Sequence, residues 1–434
     1  MISSPAHILR HADAKQLEQA AADNYKQMVS LEAIAWGGEV KEKDGLLWTY
    51  AGAGRSANIL FSSPAAEHSG VLLDEMMDYF RAHPPNNAGY WSLDPPQPAG
   101  IGVQLLARGF QPGWKPCWMG LDLEAICEPH SAPADLRLRG DNDTDIRPIK
   151  ELPYSANDNL LTPAIRRSSP GLVQRFIASH RGKIVGQSAV FFSSGDYGVA
   201  GIYNVGVVPR MQNKGIGKAV TLAACLYARE RGYRYAVLNA TPSGRRIYEQ
   251  LGFRWVGDGV TWWLTGDRWQ KQPPTTAQVA LAEAIGYGDT TALDQLKGLF
   301  TASELNGDLA NKLTWMELAV HCRQPASAEW LLAQGAGCTA LDAWGLGWKD
   351  RAAALLAANR EEVNRQYGEG KLTLLHIAAQ QGDAALARLA LQAGPDVSIR
   401  DAWHDSTPLG WAQFFQRPEI IEMIKSRPEQ YSTN

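Results

Sequence analysis

A glycine-rich stretch from Val207 to Ala219 has the residue types and spacing that most clearly suggest chemistry. Its centre reads Gln-Asn-Lys-Gly-Ile-Gly, and the second glycine, Gly217, opens a segment of helical periodicity. Glycines let a backbone approach a ligand closely, and successive N–H groups at a helix start attract anions. The stretch therefore predicts a pyrophosphate site, to which Lys214 and Lys218 would add positive charge.

Strands and helices alternate around this stretch and must position it. The β-rich runs are 175–180, 183–192, 201–208 and 235–240, and the helical runs are 217–231 and about 245–251. Arg181-Gly182 predicts a hairpin turn, Pro209 ends the third strand, and Gly232 ends the first helix. The glycine-rich loop is thus expected to join a strand end to a helix start.

The loop and the later run GRRIYEQLGF (244–253) together resemble the GNAT superfamily of N-acetyltransferases. The pattern of that family is Arg or Gln at the first position of x-x-x-Gly-x-Gly, followed by Tyr-x-x-x-Gly-Phe. Ile146-Arg147-Pro148 also resembles the opening of its first strand. The resemblance covers 144–268 and implies an enzyme that transfers an acetyl group from acetyl-coenzyme A to an amine, without a metal.

The resemblance also implies roles for individual residues. Backbone amides at Val207 and Val208 would hold the pantetheine arm. Tyr248 would protonate the departing thiolate, which suits a phenol within hydrogen-bond reach; the alternative is a half-buried aromatic that only packs. The residues expected to hold the pyrophosphate are Gln212, Asn213, Lys214, Gly215, Ile216, Gly217, Lys218 and Ala219.

The general base is left open by the sequence. Many relatives carry a glutamate early in the strand before the loop, where this chain has Gly201. The candidates are Asp196, Glu151, Asp158 and a chain of water molecules that ends on a strand carbonyl.

Residues 1–125 repeat parts of the same pattern and predict a second, non-catalytic GNAT-like domain. The matches pair Pro64 with Pro209, Gly70 with Gly215 and Phe110 with Phe253. Glu67, Leu72 and Leu105 then stand where the active copy has Gln212, Gly217 and Tyr248. The alternative is that prolines, glycines and other residues at strand and helix ends recur at this spacing by chance.

A break with paired prolines at 267–278 precedes a segment of different character, 276–430. It reads as helical pairs, and Thr373 and Thr407 head similar stretches 34 residues apart. This resembles ankyrin repeats, whose period is about 33 residues. The predicted fold class is therefore an α/β GNAT fold in tandem, followed by an all-α ankyrin-like repeat domain.

The composition limits the class of protein. A chain of 434 residues predicts two or three domains, and a net charge of −3 argues against nucleic-acid binding. The five cysteines are scattered without metal-ligand spacing, which favours free thiols. Because the sequence has neither a signal-like start nor 18 consecutive apolar residues, we expect a cytoplasmic protein that does not bind membranes.

The leading hypothesis is acetylation of an amine on a small cationic molecule. The loop Ala240-Thr241-Pro242-Ser243-Gly244 and the tandem arrangement resemble aminoglycoside acetyltransferases, with the kasugamycin-modifying kind as the nearest comparison. The alternative is a protein N-acetyltransferase whose ankyrin-like repeats recruit its target. A third possibility is that these repeats only stabilise the enzyme or form a homodimer.

Overall fold

The computed structural model describes residues 7–126, 135–141, 151–152 and 163–426. The chain divides into two compact units at Pro274–Thr275. The first unit is α/β and the second is helical, which confirms the predicted fold class. The predicted strand opening at Ile146-Arg147-Pro148 lies outside the described residues.

The first unit has strands at almost all the predicted places. The strands are β1 Glu39–Lys43, β2 Leu46–Tyr50, β3 Ser56–Leu60, β4 Asn87–Leu93, β5 Gln111–Pro112, β6 Cys117–Asp122, β7 Leu136–Asp141, β8 Val173–His180, β9 Lys183–Phe192, β10 Ala200–Val207, β11 Tyr235–Ala240 and β12 Arg254–Leu264. Arg181 and Gly182 form the expected turn between β8 and β9, and both have positive φ.

The helices of this unit are α1 Ala14–Ala35, α2 Ala66–Ala82, α3 Ile101–Ala107, α4 Pro163–Ser168, α5 Ile216–Glu230, α6 Pro242–Glu249 and α7 Arg268–Lys271. Short 3₁₀ helices cover Leu123–Ala125 and Pro209–Met211. Helix α6 begins earlier than expected, because the Thr241 side chain caps it by accepting a hydrogen bond from the Gly244 N–H.

The strands form one sheet with two halves, one from residues 7–126 and one from residues 135–264. A strand of each half pairs with the edge of the other half. The order is β1-β2-β3-β4-β12-β6-β11-β10-β9-β8-β7, with β5 beside β12. Strand β12 pairs with β4 through Gly259–Leu264, and β6 pairs with β11 along its full length. We call residues 7–126 the first half and residues 135–264 the second half.

Helix α1 packs against both halves. Met28 shares a buried cluster with Leu60 of β3 and Phe191 of β9. Asn24 is fully buried, and its Nδ2 donates hydrogen bonds to Ser193 Oγ (2.9 Å) and to the Val199 carbonyl (3.0 Å). The first half therefore supplies part of the core beneath β9 and β10.

The expected pairing of Gly70 with Gly215 is wrong. Helix α2 begins at Ala66, so Gly70 lies inside that helix rather than in a loop before it. Aligning the helix starts places Ala66, not Gly70, opposite Ile216, because residues 61–65 form a shorter connection than residues 208–215. Strand β3 also stays paired with β4 along its whole length.

The second unit consists of helices that pack mostly in pairs. They are α8 Thr276–Tyr287, α9 Thr290–Gln295, α10 Ala302–Leu305, α11 Trp315–His321, α12 Pro325–Ala333, α13 Ala340–Gly345, α14 Lys349–Ala358, α15 Arg360–Val363, α16 Leu374–Gln381, α17 Ala384–Gln392, α18 Pro408–Phe414 and α19 Pro418–Lys425. Thr314, Thr339, Thr373 and Thr407 are the N-caps of α11, α13, α16 and α18. None of the described helices in either unit has the length and hydropathy of a membrane span.

A buried histidine joins two of these repeats. His376 Nδ1 accepts a hydrogen bond from the Thr373 N–H (3.2 Å), and its Nε2 lies 3.0 Å from the Ser406 carbonyl. This geometry fits the neutral imidazole with its proton on Nε2, because Nδ1 must accept. Burial lowers the pKa of His376 from 6.5, although the Ser406 carbonyl and Asp401 oppose the shift.

We expect His376 to make the repeats less stable in acid. The unfolded state takes up a proton below about pH 6.5 while the folded histidine resists it, so the stabilisation is complete above that pH and is lost as pH falls. Helical ellipticity in urea titrations of the full chain, at about pH 8 and about pH 5.5, measures this. His376→Asn should be less stable by about 1 kcal/mol at the higher pH, with a smaller loss on acidification. His404→Asn, at an exposed histidine, is the control, and an equal pH dependence in both variants would contradict the assignment.

Candidate functional site

The two central strands of the second half separate next to the predicted loop. Strand β10 pairs in parallel with β11 only at Ala200 and Gly201, whereas its pairing with β9 continues to Val207. A bulge between Tyr203 and Gly206 accompanies the separation. The edge of β10 that faces β11 is thus unpaired from Ile202 onward, and we call this gap the β10–β11 cleft. An unpaired strand edge can hydrogen-bond an extended ligand.

Val207 and Val208 differ in what they offer to that cleft. The Val208 N–H donates to the Val185 carbonyl (3.0 Å), so it is engaged in the sheet and cannot make the expected contact with a pantetheine arm. Because hydrogen bonds alternate along an antiparallel ladder, the Val207 N–H points away from β9 and toward the cleft. The Val208 side chain is 1% exposed and anchors the loop from below.

The loop itself has the backbone that the glycine pattern predicts. Asn213 and Gly215 are in the left-handed region, with φ of 61° and 77°. Gly215 is the N-cap of α5 and provides no side-chain cap, so the first N–H groups of that helix have no acceptor within it. Gln212 Nε2 donates to the Val207 carbonyl (3.4 Å) and closes the loop on the strand end. These N–H groups at the mouth of the cleft have the arrangement that an anion would need.

The remaining loop residues either anchor this site or carry charge. Ile216 and Ala219 are buried, so only their backbone can serve a ligand. Lys214 is exposed and Lys218 half-buried. Neither lysine forms an ion pair with a residue that the structure describes, which leaves both able to meet a phosphate.

Helix α6 brings Tyr248 to the same region. A Cβ on Gly217 would lie 3.7 Å from Val207 Cγ2 and 3.9 Å from Ile247 Cδ1, so the strand end, the start of α5 and α6 meet there. Tyr248 is half-buried, and its ring lies 6.0 Å from that of Phe253, edge to face. The ring also covers Gly244, where a Cβ would lie 3.2 Å from Tyr248 Cε2.

The structure shows why position 201 holds a glycine. A Cβ at this position would lie 2.0 Å from Asn24 Oδ1, so α1 fills the space that a larger side chain would need. Tyr203 Oη donates to the same oxygen (2.6 Å). The sequence could not reveal this contact, because Asn24 belongs to the first half and to no motif.

Of the predicted candidates for the base, Asp196 and Glu151 lie among the described residues. Asp196 is exposed in the turn between β9 and β10, at the end of β10 opposite to Val207. Glu151 forms an ion pair with Arg210 at the surface. Asp158 lies outside the described residues. In the ranges that the structure describes, no three His, Cys, Asp or Glu side chains gather as a metal site requires.

A cavity that sequence reasoning missed lies between the two halves. Its volume is 420 Å³, and its walls include α1, the strands β2 and β3, and Asn204 in the bulge of β10. Glu32 and Arg55 are the charged residues among the described ones that line it. No local motif marks these residues, since they come together only through the packing of α1.

Known proteins with similar sequences agree with the predicted family. The model of the acetyltransferase (GNAT) family matches residues 142–253, and the ankyrin repeat model matches residues 371–402. Glucosamine 6-phosphate N-acetyltransferase of Trypanosoma brucei brucei is 29% identical over 132 residues, which are 28% of this chain and 90% of that protein.

Two solved structures are also similar to this chain. A GCN5-related N-acetyltransferase from Kribbella flavida is 16% identical, with a TM-score of 0.45 over 57% of this chain and 96% of its own. A tandem GNAT protein from the clavulanic acid biosynthesis pathway is 16% identical, with a TM-score of 0.41 over 58% of this chain and 96% of its own.

The chain therefore contains a GNAT acetyltransferase domain and an ankyrin repeat. It is an enzyme, an N-acetyltransferase of the GNAT type. Acetyl-coenzyme A is the acetyl donor of this family, and the loop at the mouth of the cleft has the geometry to bind its pyrophosphate.

Gly215→Glu should abolish coenzyme A binding, because it places a carboxylate where the amides of the loop and of α5 converge. Calorimetry on the full chain should find one coenzyme A site in the wild type, since the first half has no comparable loop. Gly232→Glu is the matched control, because Gly232 also has a left-handed φ, of 84°, but lies after the other end of α5. Unchanged affinity in a folded Gly215→Glu variant would refute the assignment.

Proposed function

We propose that the protein transfers an acetyl group from acetyl-coenzyme A to the amine of a small cationic molecule. The observation that carries the proposal is the combination of the β10–β11 cleft with the uncapped start of α5. A strand edge and an anion site in line suit a ligand with an extended arm and a pyrophosphate.

Each part of this site has a distinct task. Acetyl-coenzyme A supplies a thioester whose acetyl group an amine can take. Amides from Asn213 to Lys218 would hold the pyrophosphate, together with the lysine charges, and the Val207 amide would hold the pantetheine arm. Tyr248 would give its phenolic proton to the thiolate as the carbon–sulfur bond breaks.

The proposed domain organisation is a degenerate GNAT-like copy at 1–125, the catalytic domain at 144–268 and an ankyrin-like repeat domain at 276–430. The order of elements supports the two copies: β1-β2-β3-α2-β4-α3-β6 corresponds to β8-β9-β10-α5-β11-α6-β12. In both runs the third strand is antiparallel to the second and parallel to the fourth. The first copy lacks the long loop and the diverging strands, which fits a non-catalytic role.

The acceptor we propose is a compact amine, such as an aminoglycoside-type antibiotic of the kasugamycin class or a related amino sugar. The similarity to glucosamine 6-phosphate N-acetyltransferase supports an amine on a sugar ring. The four described cysteines, Cys117, Cys225, Cys322 and Cys338, are free thiols, which supports a cytoplasmic location.

A second candidate function is acetylation of a protein that the ankyrin-like repeats recruit. The ankyrin match at 371–402 favours a protein contact, and large aromatic side chains are exposed nearby at Trp403 and Phe414. The same surface would also serve a homodimer. In both cases the acetyl-transfer site is the one described above.

Thiol release from acetyl-coenzyme A distinguishes the two candidates. We expect release that depends on an added aminoglycoside, amino sugar or polyamine, and background release with lysine-containing peptides. A protein acetyltransferase would instead respond to peptide or protein acceptors and ignore the small amines, which would contradict the proposal.

Tyr248→Phe should lower kcat by roughly ten- to a thousandfold, because the change keeps the ring but removes its only acidic proton. Since the proton is needed in the transition state, kcat and kcat/KM should fall together while coenzyme A affinity is kept. Tyr227→Phe, at another half-buried tyrosine on α5, is the control. Wild-type turnover in a folded Tyr248→Phe variant would remove Tyr248 from the mechanism.

A further inference from the structure

The cavity between the halves has the size and position of an acceptor site. Its 420 Å³ lie within the range of small-molecule pockets. The bulge that contributes Asn204 to its wall also forms the edge of the β10–β11 cleft. Val205, the next residue of the bulge, packs on the α5 side of the sheet. A ligand in the cavity and a thioester in the cleft would therefore meet at this segment.

Asn204 presents an unsatisfied acceptor at this junction. The residue is 9% exposed and has a φ of 51°, in the left-handed region that asparagine tolerates better than most residues. Its Oδ1 is buried and has no hydrogen-bond partner among the residues that the structure describes. Because burying a carbonyl oxygen without a donor is costly, this atom suits the N–H or O–H group of a ligand.

Aromatic rings form one wall of the cavity. The ring centroids of Tyr25 and Trp91 are 4.6 Å apart, and those of Trp91 and Trp263 are 5.8 Å apart. Both indoles are fixed, because Trp91 Nε1 donates to Asn58 Oδ1 and Trp263 Nε1 donates to Thr261 Oγ1. Flat rings beside amide and hydroxyl groups suit a sugar, which has C–H faces and many hydroxyls.

The charged groups of the cavity are a carboxylate and a guanidinium. Glu32 projects from α1 close to Tyr25, and burial together with this carboxylate raises the pKa of the Tyr25 phenol. The phenol therefore stays protonated. The Arg55 guanidinium lies 3.2 Å from the ring centroid of Trp36, which fixes it in place. The Glu32 carboxylate would attract an ammonium group into the cavity.

We propose that this cavity is the acceptor site, that it takes a hydroxyl-rich amine of the amino-sugar class, and that Glu32 is the general base. This inference rests on the proposed acetyltransfer. An ammonium N–H gives its proton to the Glu32 carboxylate, and the freed nitrogen lone pair bonds to the acetyl carbon. The carbon–sulfur bond breaks, and the thiolate takes the proton of Tyr248. The nitrogen loses its second proton as it becomes an amide, and this proton restores the Tyr248 phenol through solvent, while Glu32 gives its proton to solvent. Asn204 Oδ1 accepts a hydrogen bond from the amine substrate and orients that substrate.

The test compares three full-length variants with the wild type, with glucosamine and spermidine as acceptor probes. Glu32→Gln removes the base with little change in shape, and Asn204→Gly removes the carboxamide while keeping the left-handed φ. Glu230→Gln, at the exposed end of α5, is the control. The readouts are kcat/KM for each amine against pH, coenzyme A affinity by calorimetry, and the melting temperature.

The wild type should acetylate glucosamine with a higher kcat/KM than spermidine. Glu32→Gln should lower kcat/KM for glucosamine by about 10²-fold or more. It should also make kcat/KM decrease less steeply as the pH is lowered. Asn204→Gly should lower it about tenfold, chiefly through KM. In both Glu32→Gln and Asn204→Gly, the coenzyme A affinity and the melting temperature should match those of Glu230→Gln.

Other results would overturn the inference in separable ways. If spermidine is acetylated and glucosamine is not, or if Glu32→Gln and Asn204→Gly act like the control, the cavity is not the acceptor site although acetyltransfer stands. If coenzyme A binds and neither these two amines nor an aminoglycoside is acetylated, the proposed function itself fails. A loss of coenzyme A affinity in either variant would show a structural role and refute the assignment of that residue.

Discussion

The pairing of β12 with β4, and of β6 with β11, is the constraint on which the rest of the first unit depends. Strand β12 of the second half pairs with the first half, and strand β6 of the first half pairs with the second half. Because every backbone group of a central strand needs a partner, neither half can leave without exposing an unpaired edge. The two halves therefore form one structure, and the first half is necessary for the fold of the second.

Helix α1 connects this arrangement of the two halves to the candidate site. It packs against both halves, and its Asn24 fills the space above Gly201 with a set of hydrogen bonds to Ser193, Val199 and Tyr203. A side chain at position 201 would therefore clash with Asn24. The same helix carries Glu32 into the cavity beside the bulge of β10. The close contact of Asn24 with Gly201 and the place of Glu32 in the cavity wall are thus two consequences of the same packing.

The cofactor side of the site depends on much more local physics. The left-handed φ of Gly215, the uncapped start of α5 and the separation of β10 from β11 all lie within one strand–loop–helix segment. Their geometry is determined by residues a few positions apart. Val208 shows the limit of this rule, because its amide is used by Val185 in a neighbouring strand and its role is to anchor the loop.

The sequence by itself determined the α/β class, most strand and helix bounds of the second half, the glycine loop and the helix that carries Tyr248. Backbone conformation, capping and amphipathic periodicity act over a few residues, so they leave a readable pattern. The comparison with the first half failed at Gly70, because an offset of fixed length cannot detect a shortened loop. Only the tertiary structure decided the exchange of closing strands, the contact of Asn24 with Gly201, and the cavity with Glu32 and Asn204. These features depend on contacts such as that of Asn24 with Val199, 175 positions apart, and packing at that separation leaves no periodicity in one sequence.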